Sequence, residues 1–511
     1  MLIVIPPPNT DGLGATMTTP QPGAAAVSTP DPLRWKTLVV VGIVALMVVL
    51  DGTVMNIALP SIQVDLDLSD TDRQWVVTAY ALTFGGLLLL GGRIGDFFGR
   101  KRSLYIGLTG FAIASAAGGL APNPLSLILA RGFGGAFAAL LAPVTLSIIA
   151  VTFTEISERT KAFAIYSSIS AGGGAVGLVL GGILTQFVSW RWCLWINVPI
   201  AIVAMILTTR WVRESRIVAK VKYDVAGAII GTAGLLLLVF GISEAGIVGW
   251  AAPRTLVPLV VSVILLVVFF IIEHRTKDPL LPIRVLSNRS RAGAYSAAFF
   301  SGGALFATFL FISYYLQSVL GYSPLGAGLL GLPFSVGVVA STFLANRILP
   351  KVGPRYVTTI GFVLATIGTL GLTRISVTSN YWIDVLPWLL IMSLGMGLIF
   401  VPLTVTSVYG VQPQDTGVAS AVINMSQQIG GSIGVALLNT LAAAATATAV
   451  AETGESATSP EALVVGYSTV FAWSAVLLVA GGLLWFVLVR VRLSDLVPQA
   501  APVEAPTADP A

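Results

Sequence analysis

The sequence predicts an all-α polytopic membrane protein of fourteen transmembrane helices: two six-helix bundles in an inverted-repeat arrangement, with two further helices inserted between them. Three observations carry that prediction. Of 511 residues, 56% are hydrophobic and only 10% charged, and a mean hydropathy of +0.90 excludes a string of soluble domains. Apolar runs of about the 20 residues that a helix needs to cross a bilayer follow one another along the chain. A junction also repeats: Arg93 precedes Gly99 by six residues in the first half, Arg347 precedes Gly353 by six in the second, and after each glycine come a base and a new apolar run. The second copy has Pro350 where the first has Asp96.

Taken in order, residues 1–33 are rich in Pro, Thr, Gly and Ala with no base before Arg34, which predicts a disordered tail rather than a secretory signal. Spans follow at about 37–59, 75–92, 103–121, 125–150, 161–186 and 194–211, giving a first bundle over 34–212. Two inserted spans, 225–245 and 255–272, lie within 213–291. A second bundle over 292–492 takes the spans 292–316, 325–346, 356–373, 385–405, 417–445 and 467–489, and 493–511 is a second disordered tail. An even number of spans puts both tails on one side. Of the 28 Lys and Arg, only Arg73, Arg191, Arg254 and Arg374 fall in loops on the other side and Arg131 falls inside a span. The remainder share the side of the tails, so both termini are expected in the cytoplasm of a multi-pass protein of the cell membrane.

Composition limits the chemistry as well. The net charge of +5 does not imply nucleic acid, because the bases are spread over short loops. A single cysteine, Cys193, cannot form an internal disulfide, and a single histidine, His274, cannot anchor a multi-histidine metal or haem site. No metal and no cofactor are expected. The chain has no G-x-x-x-x-G-K-[ST] loop, so ATP is not the driver.

Five charges stand between the second and third spans in GGRIGDFFGRKR, Gly91 to Arg102. Such a loop must stay in water, and Gly95 and Gly99 on either side of Asp96 permit a tight turn. The spacing of Gly92, Arg93, Gly95, Asp96, Gly99, Arg100, Lys101 and Arg102 resembles the loop between the second and third helices of the major facilitator superfamily. That resemblance implies a charge latch that opens and closes with a transport cycle. In the first span Leu50, Asp51, Thr53, Asn56, Ala58, Leu59 and Pro60 match L-D-x-T-x-x-N-x-A-L-P, a signature of the superfamily's fourteen-helix drug:proton antiporters. The whole stretch from Arg34 to Arg492 is similar in plan to that branch, an inverted-repeat transporter fold.

Ionisable residues inside spans are costly and usually face a cavity or a partner. Asp51 and Arg131 are such residues, and Arg131 lies in LILARGFGGAF, similar to the family's fourth-helix motif. At about 1.5 Å per residue, Asp51 lies about 21 Å from one face of a roughly 30 Å span and Arg131 about 9 Å from the other, so they reach similar depth. Desolvation and a neighbouring cation act on a carboxylate in opposite senses, so modest helix motion changes which wins. Asp51 is therefore the candidate proton carrier and Arg131 its partner; alternatively Asp51 caps a helix end and Arg131 is a structural tie.

Gly173, Gly177, Gly181 and Gly182 form a stripe of small residues along the fifth span that lets two helices approach closely. It resembles the antiporter signature G-x-x-x-G-P-x-x-G-G, with Leu178 in place of the proline. Asn424, Gln427 and Gln428 reach mid-depth in the thirteenth span and can hydrogen-bond a substrate or tie helices together. With Asn56, Tyr80 and Tyr314 they are the candidate substrate contacts. No acid occupies the middle of spans nine, ten, thirteen or fourteen, which favours neutral, zwitterionic or singly cationic substrates over dications. The resemblance thus implies a monomeric proton-coupled antiporter exporting amphipathic small molecules by alternating access, not an enzyme. A proton symporter importing a solute, or a membrane sensor that does not transport, are the rival readings.

Overall fold

A computed structural model describes residues 31–215, 224–276, 279–411, 416–454 and 456–491. The tails expected at 1–33 and 493–511 lie outside them, apart from residues 31–33. The described residues form helices and no strands. The first set is α1 (Arg34–Asp65), α2 (Asp70–Phe98), α3 (Arg100–Gly119), α4 (Pro124–Thr152), α5 (Ile156–Phe187) and α6 (Asn197–Trp211), the last entered through a single turn, Trp192–Trp195. Then come α7 (Val225–Val248) and α8 (Pro253–Arg275). The second set is α9 (Arg289–Tyr314, continued by a π turn, Tyr315–Val319), α10 (Pro324–Val352), α11 (Pro354–Gly371), α12 (Leu386–Ser407), α13 (Thr416–Thr453) and α14 (Pro460–Leu488). Twelve of these helices are long and apolar enough to cross a membrane. The predicted third and fifth spans fall on α3 and α5, which are not among the twelve; on α5 the described apolar stretch is the shorter Gly172–Phe187. The chain is a multi-pass membrane protein.

Local sequence explains where the helices begin. Ser69 caps α2 and Asn123 caps α4, each in a reciprocal capping box, with Asp72 and Ser126, that satisfies otherwise unpaired N–H groups. Proline occupies the first turn of α4, α8, α10, α11 and α14, where its missing N–H costs nothing.

Helices α1–α6 pack among themselves, as do α9–α14, and α2 against α13 and α5 against α10 join the two sets. α7 lies along α2 and α13, and α8 packs on α7 with most of its apolar surface outward. We call the end that holds the start of α1 and the finish of α14 the tail end. At the opposite, far end the sets are closely joined. Ser313 donates to the Asn56 carbonyl (3.3 Å), Gln317 to the Ile57 carbonyl (3.2 Å) and Arg73 to Asn439 Oδ1 (3.3 Å). A Cβ at Gly182 would stand 2.6 Å from Leu325 Cα, so only glycine lets α5 and α10 meet there.

The repeated junction is a repeated structure. Gly99 (φ +114°) joins α2 to α3 and Gly353 (φ +84°) joins α10 to α11, both in the left-handed half of φ space that glycine adopts without strain. The expected water-filled loop over Gly91–Arg102 is corrected by this geometry. α2 runs on to Phe98, so Gly92, Arg93, Gly95 and Asp96 are helical and the turn is made at Gly99 alone. Gly95 serves packing instead, pressed against Val144 of α4.

Candidate functional site

Asp51 and Arg131, predicted to share a depth, are in contact. α1 places Asp51 and α4 places Arg131 so that Arg131 Nη1 donates to Asp51 Oδ2 at 2.5 Å, with the side chains 1% and 4% exposed. Three further groups hold the pair. Arg131 Nε donates to the Val76 carbonyl (3.2 Å), and its guanidinium carbon lies 4.4 Å from the centre of the Tyr80 ring, both on α2. Asn197, the first residue of α6 and wholly buried, donates Nδ2 to Asp51 Oδ1 (2.8 Å) and to Ser115 Oγ of α3 (3.3 Å). Each carboxylate oxygen therefore has a donor, as a charge removed from water requires. The Tyr80 hydroxyl and Asn197 Oδ1 are buried without a hydrogen-bond partner.

Sequence reasoning missed Asn197 and Ser115. The available signal was an amide beside Pro199 in an otherwise apolar stretch, CLWINVPI, but span boundaries there did not show which way it faced.

Beside the pair lies a cavity of about 440 Å³ between the two helix sets. Arg131 and Tyr80 stand in its wall, and Asp51 sits behind them. From the first set Gly52, Thr53 and Asn56 of α1, Phe84 of α2, Thr145 of α4 and Tyr166 of α5 also line it. The second set supplies Leu305, Phe306 and Phe309 of α9, Phe334 and Ser335 of α10 and Gln428 of α13. Apolar and aromatic surface dominates, and among the described residues Arg131 is the charged one of the lining and no carboxylate belongs to it. Such a wall suits an amphipathic organic molecule held by a few polar groups. Leu141, Ala142, Thr145 and Tyr166 extend the lining toward the tail end.

Three of the six candidate substrate contacts, Asn56, Tyr80 and Gln428, meet on this cavity. Tyr314 does not: it is buried at the far end, where the Arg73 guanidinium stacks on it at 4.1 Å. The Gln427 backbone packs against Gly302 of α9, and Asn424 is exposed and donates to the Ser420 carbonyl one turn earlier (2.9 Å). The α5 stripe divides between two neighbours. Gly173, Gly177 and Gly181 face α1, whereas Gly182 faces the start of α10.

At the tail end the bases of the α2–α3 junction reach different partners. Arg93 donates to the Pro279 carbonyl, ahead of α9, and Arg100 is buried with its Nε bonded to Ser147 of α4 (2.5 Å). Arg102 lies 3.9 Å from Glu214, whose carboxylate also accepts the first backbone N–H groups of α3, from Lys101 (3.1 Å) and Arg102 (3.2 Å). The side chain of Asp96 lies outside the described ones. Nearby, two hydrogen bonds from Arg34 (2.7 and 2.8 Å) hold the Glu158 carboxyl below the ordinary carboxylate range.

A family model described as the Major Facilitator Superfamily matches residues 41–435. The chain is 44% identical to the puromycin resistance protein pur8 of Streptomyces alboniger, over 92% of this chain and 94% of that one. It is 36% identical to the cephamycin export protein CmcT of Amycolatopsis lactamdurans, over 80% and 84% of the two chains. Among solved structures, a bacterial homologue of the human lysosomal transporter Spinster, in an inward-facing and unoccupied conformation, aligns with a TM-score of 0.63 at 17% identity, covering 93% of this chain and all of that one.

Proposed function

The chain belongs to the major facilitator superfamily and is a membrane transporter of small molecules rather than an enzyme, and from that premise we propose that it is a proton-coupled antiporter that expels amphipathic drugs or an endogenous metabolite from the cell. The observation that carries the proposal is the buried Asp51–Arg131 pair at the cavity, with Arg131 in its wall beside Tyr80 and Asp51 bonded to it from behind. Efflux is favoured by the relatives named for puromycin resistance and cephamycin export. The tail end, which gathers most of the basic residues, is assigned to the cytoplasm of the cell membrane. With the far end closed, the cavity then receives its substrate from the cytoplasmic side.

In this scheme substrate entering the cavity displaces the Arg131 side chain from Asp51, or the proton does so from the other face, and the two events exclude each other. A proton arriving from outside neutralises Asp51, loosens the ion pair and favours closure at the tail end. Its release toward the cytoplasm restores the pair. Each positive charge returned with the membrane potential releases about 2.3 kcal/mol per 100 mV. With no carboxylate among the described residues of its lining, the largely apolar cavity favours neutral, zwitterionic or singly cationic amphipaths over dications.

The test uses inverted membrane vesicles energised by respiration, with a pH-sensitive dye inside and a panel of drugs of each charge class added outside. Wild type should discharge the proton gradient when a substrate is added, and Asp51→Asn at equal abundance should not. Equal responses from both proteins would refute coupling through Asp51, and substrate leaving preloaded vesicles together with protons, rather than entering in exchange for them, would make the protein a symporter.

A further inference from the structure

Asn197 touches the candidate proton carrier but plays no part in the scheme above, and one of its polar atoms has no partner. Its Nδ2 donates to Asp51 Oδ1 at 2.8 Å and to Ser115 Oγ at 3.3 Å, while its Oδ1 is buried and unpaired. A buried amide oxygen without a partner is a cost that another state of the site can offset by using it. The carboxylate form of Asp51 has no proton to offer it. The protonated form has one.

We infer that Asn197 and Ser115 form a reversible hydrogen-bond relay that reads the charge of Asp51, an inference that rests on the proton-coupled reading of the same pair. The amide is a donor on one side and an acceptor on the other, with nearly the same shape in both. Turned by half a revolution about its last side-chain bond, it puts its oxygen where Nδ2 now stands, 2.8 Å from Asp51 Oδ1 and 3.3 Å from Ser115 Oγ. A proton passed from hydronium to Asp51 Oδ1, leaving water, then makes Asp51 the donor and the amide oxygen the acceptor. Ser115, an acceptor in the first state, donates in the second by rotating its hydroxyl. On release the proton goes to water and every bond in the chain reverses. No other atom changes hands.

The relay gives Asp51 Oδ1 a partner in each charge state without moving a helix, and the half of the amide turned away, oxygen in one state and nitrogen in the other, takes the unpaired position. The fixed position of Asn197 at the first turn of α6 keeps the amide in reach throughout. The other ionisable groups facing Asp51 are Arg131 from α4, Tyr80 from α2 and Cys193 from the turn before α6. On α5, Gly177 stands against Leu50 and Thr53, on either side of Asp51. Of the ionisable groups, Arg131 bonds the other carboxylate oxygen, and the hydrogen bond to Asp51 Oδ1 comes from Asn197. Asn197 is accordingly a positioning residue for the proton rather than a contact for the substrate.

The experiment is the vesicle assay repeated from pH 5.5 to 9, comparing wild type, Asn197→Leu, Ser115→Ala and Asp51→Asn. A bond to a carboxylate is about twice as strong as one to a neutral acid, so losing the amide weakens the charged state more. The pH midpoint of substrate-driven proton flux should move upward by about one unit in Asn197→Leu, a tenfold change in the proton concentration required. Ser115→Ala should move it the same way by a smaller amount. A purely structural tie would lower the rate or abundance at every pH and leave the midpoint in place, and that result overturns the relay. Should Asn197→Leu fail to assemble, Ser115→Ala, which removes one buried oxygen, decides alone: a shifted midpoint supports the relay and an unshifted one refutes it. A wild type with no flux that depends on Asp51 would instead sink the proton-coupled reading itself.

Discussion

Replacing Arg131 by methionine strips the charge from the centre of the site while keeping most of its volume. Asp51, 1% exposed, would then keep only the amide of Asn197 against the full cost of a buried charge. Breaking such a pair from one side costs about 3–5 kcal/mol, because the surviving ion is left uncompensated. The Val76 carbonyl loses its donor and the Tyr80 ring its cation in the same step. Asp51→Asn leaves Arg131 buried without its counter-ion, a loss at the lower end of the same range since the new amide oxygen still accepts. The double variant carries no uncompensated charge and should cost only about 1–2 kcal/mol. The two substitutions should therefore be coupled by at least about 3 kcal/mol. Unfolding of the purified proteins in mixed micelles titrated with sodium dodecyl sulfate at pH 8, followed by tryptophan fluorescence and far-ultraviolet circular dichroism, measures all four corners of the cycle. A coupling below about 1 kcal/mol would refute the buried ion pair and return both residues to separate structural roles.

Two further substitutions probe how the helix sets move and join. Gly182→Val places a side chain against the backbone of Leu325 and Pro324, so the far end should fail to close; a cysteine introduced at Gln317 should react several-fold faster with a membrane-impermeant maleimide than in the Gly182 protein, with buried Cys193 as the background, and unchanged labelling would refute the contact. Gly99→Ala forces a side chain into φ +114° and to within 2.7 Å of Glu214 Oε1, which should cost about 1–3 kcal/mol in the detergent titration; a loss under about 0.5 kcal/mol would show that the α2–α3 junction can relax.

The sequence by itself determined the class of the protein, the repeat and the pairing at its centre. Hydrocarbon tolerates only backbone whose hydrogen bonds are satisfied within the span, so apolar length translates into helices almost without ambiguity. Arithmetic at a fixed rise per residue placed Asp51 and Arg131 at one depth, and the fold brings them to 2.5 Å. The Arg93–Gly99 and Arg347–Gly353 repeat marked the two glycine junctions, because a left-handed turn leaves few choices of residue. Depth along a helix is written in the sequence; rotation about its axis is not, when residues on all sides are apolar. That is why Asn56, Tyr80 and Gln428 could not be separated in advance from Tyr314, Gln427 and Asn424, which reach other surroundings at the far end, against α9 and in the open. It is also why Asn197 and Ser115, which belong to no recognised signature, came to light only when tertiary packing turned them toward Asp51. Tertiary packing likewise gave Gly95 its role, against Val144 of α4 within a helix rather than in a turn. Burial fixes what each residue must satisfy, and only the arrangement of the helices fixes with whom.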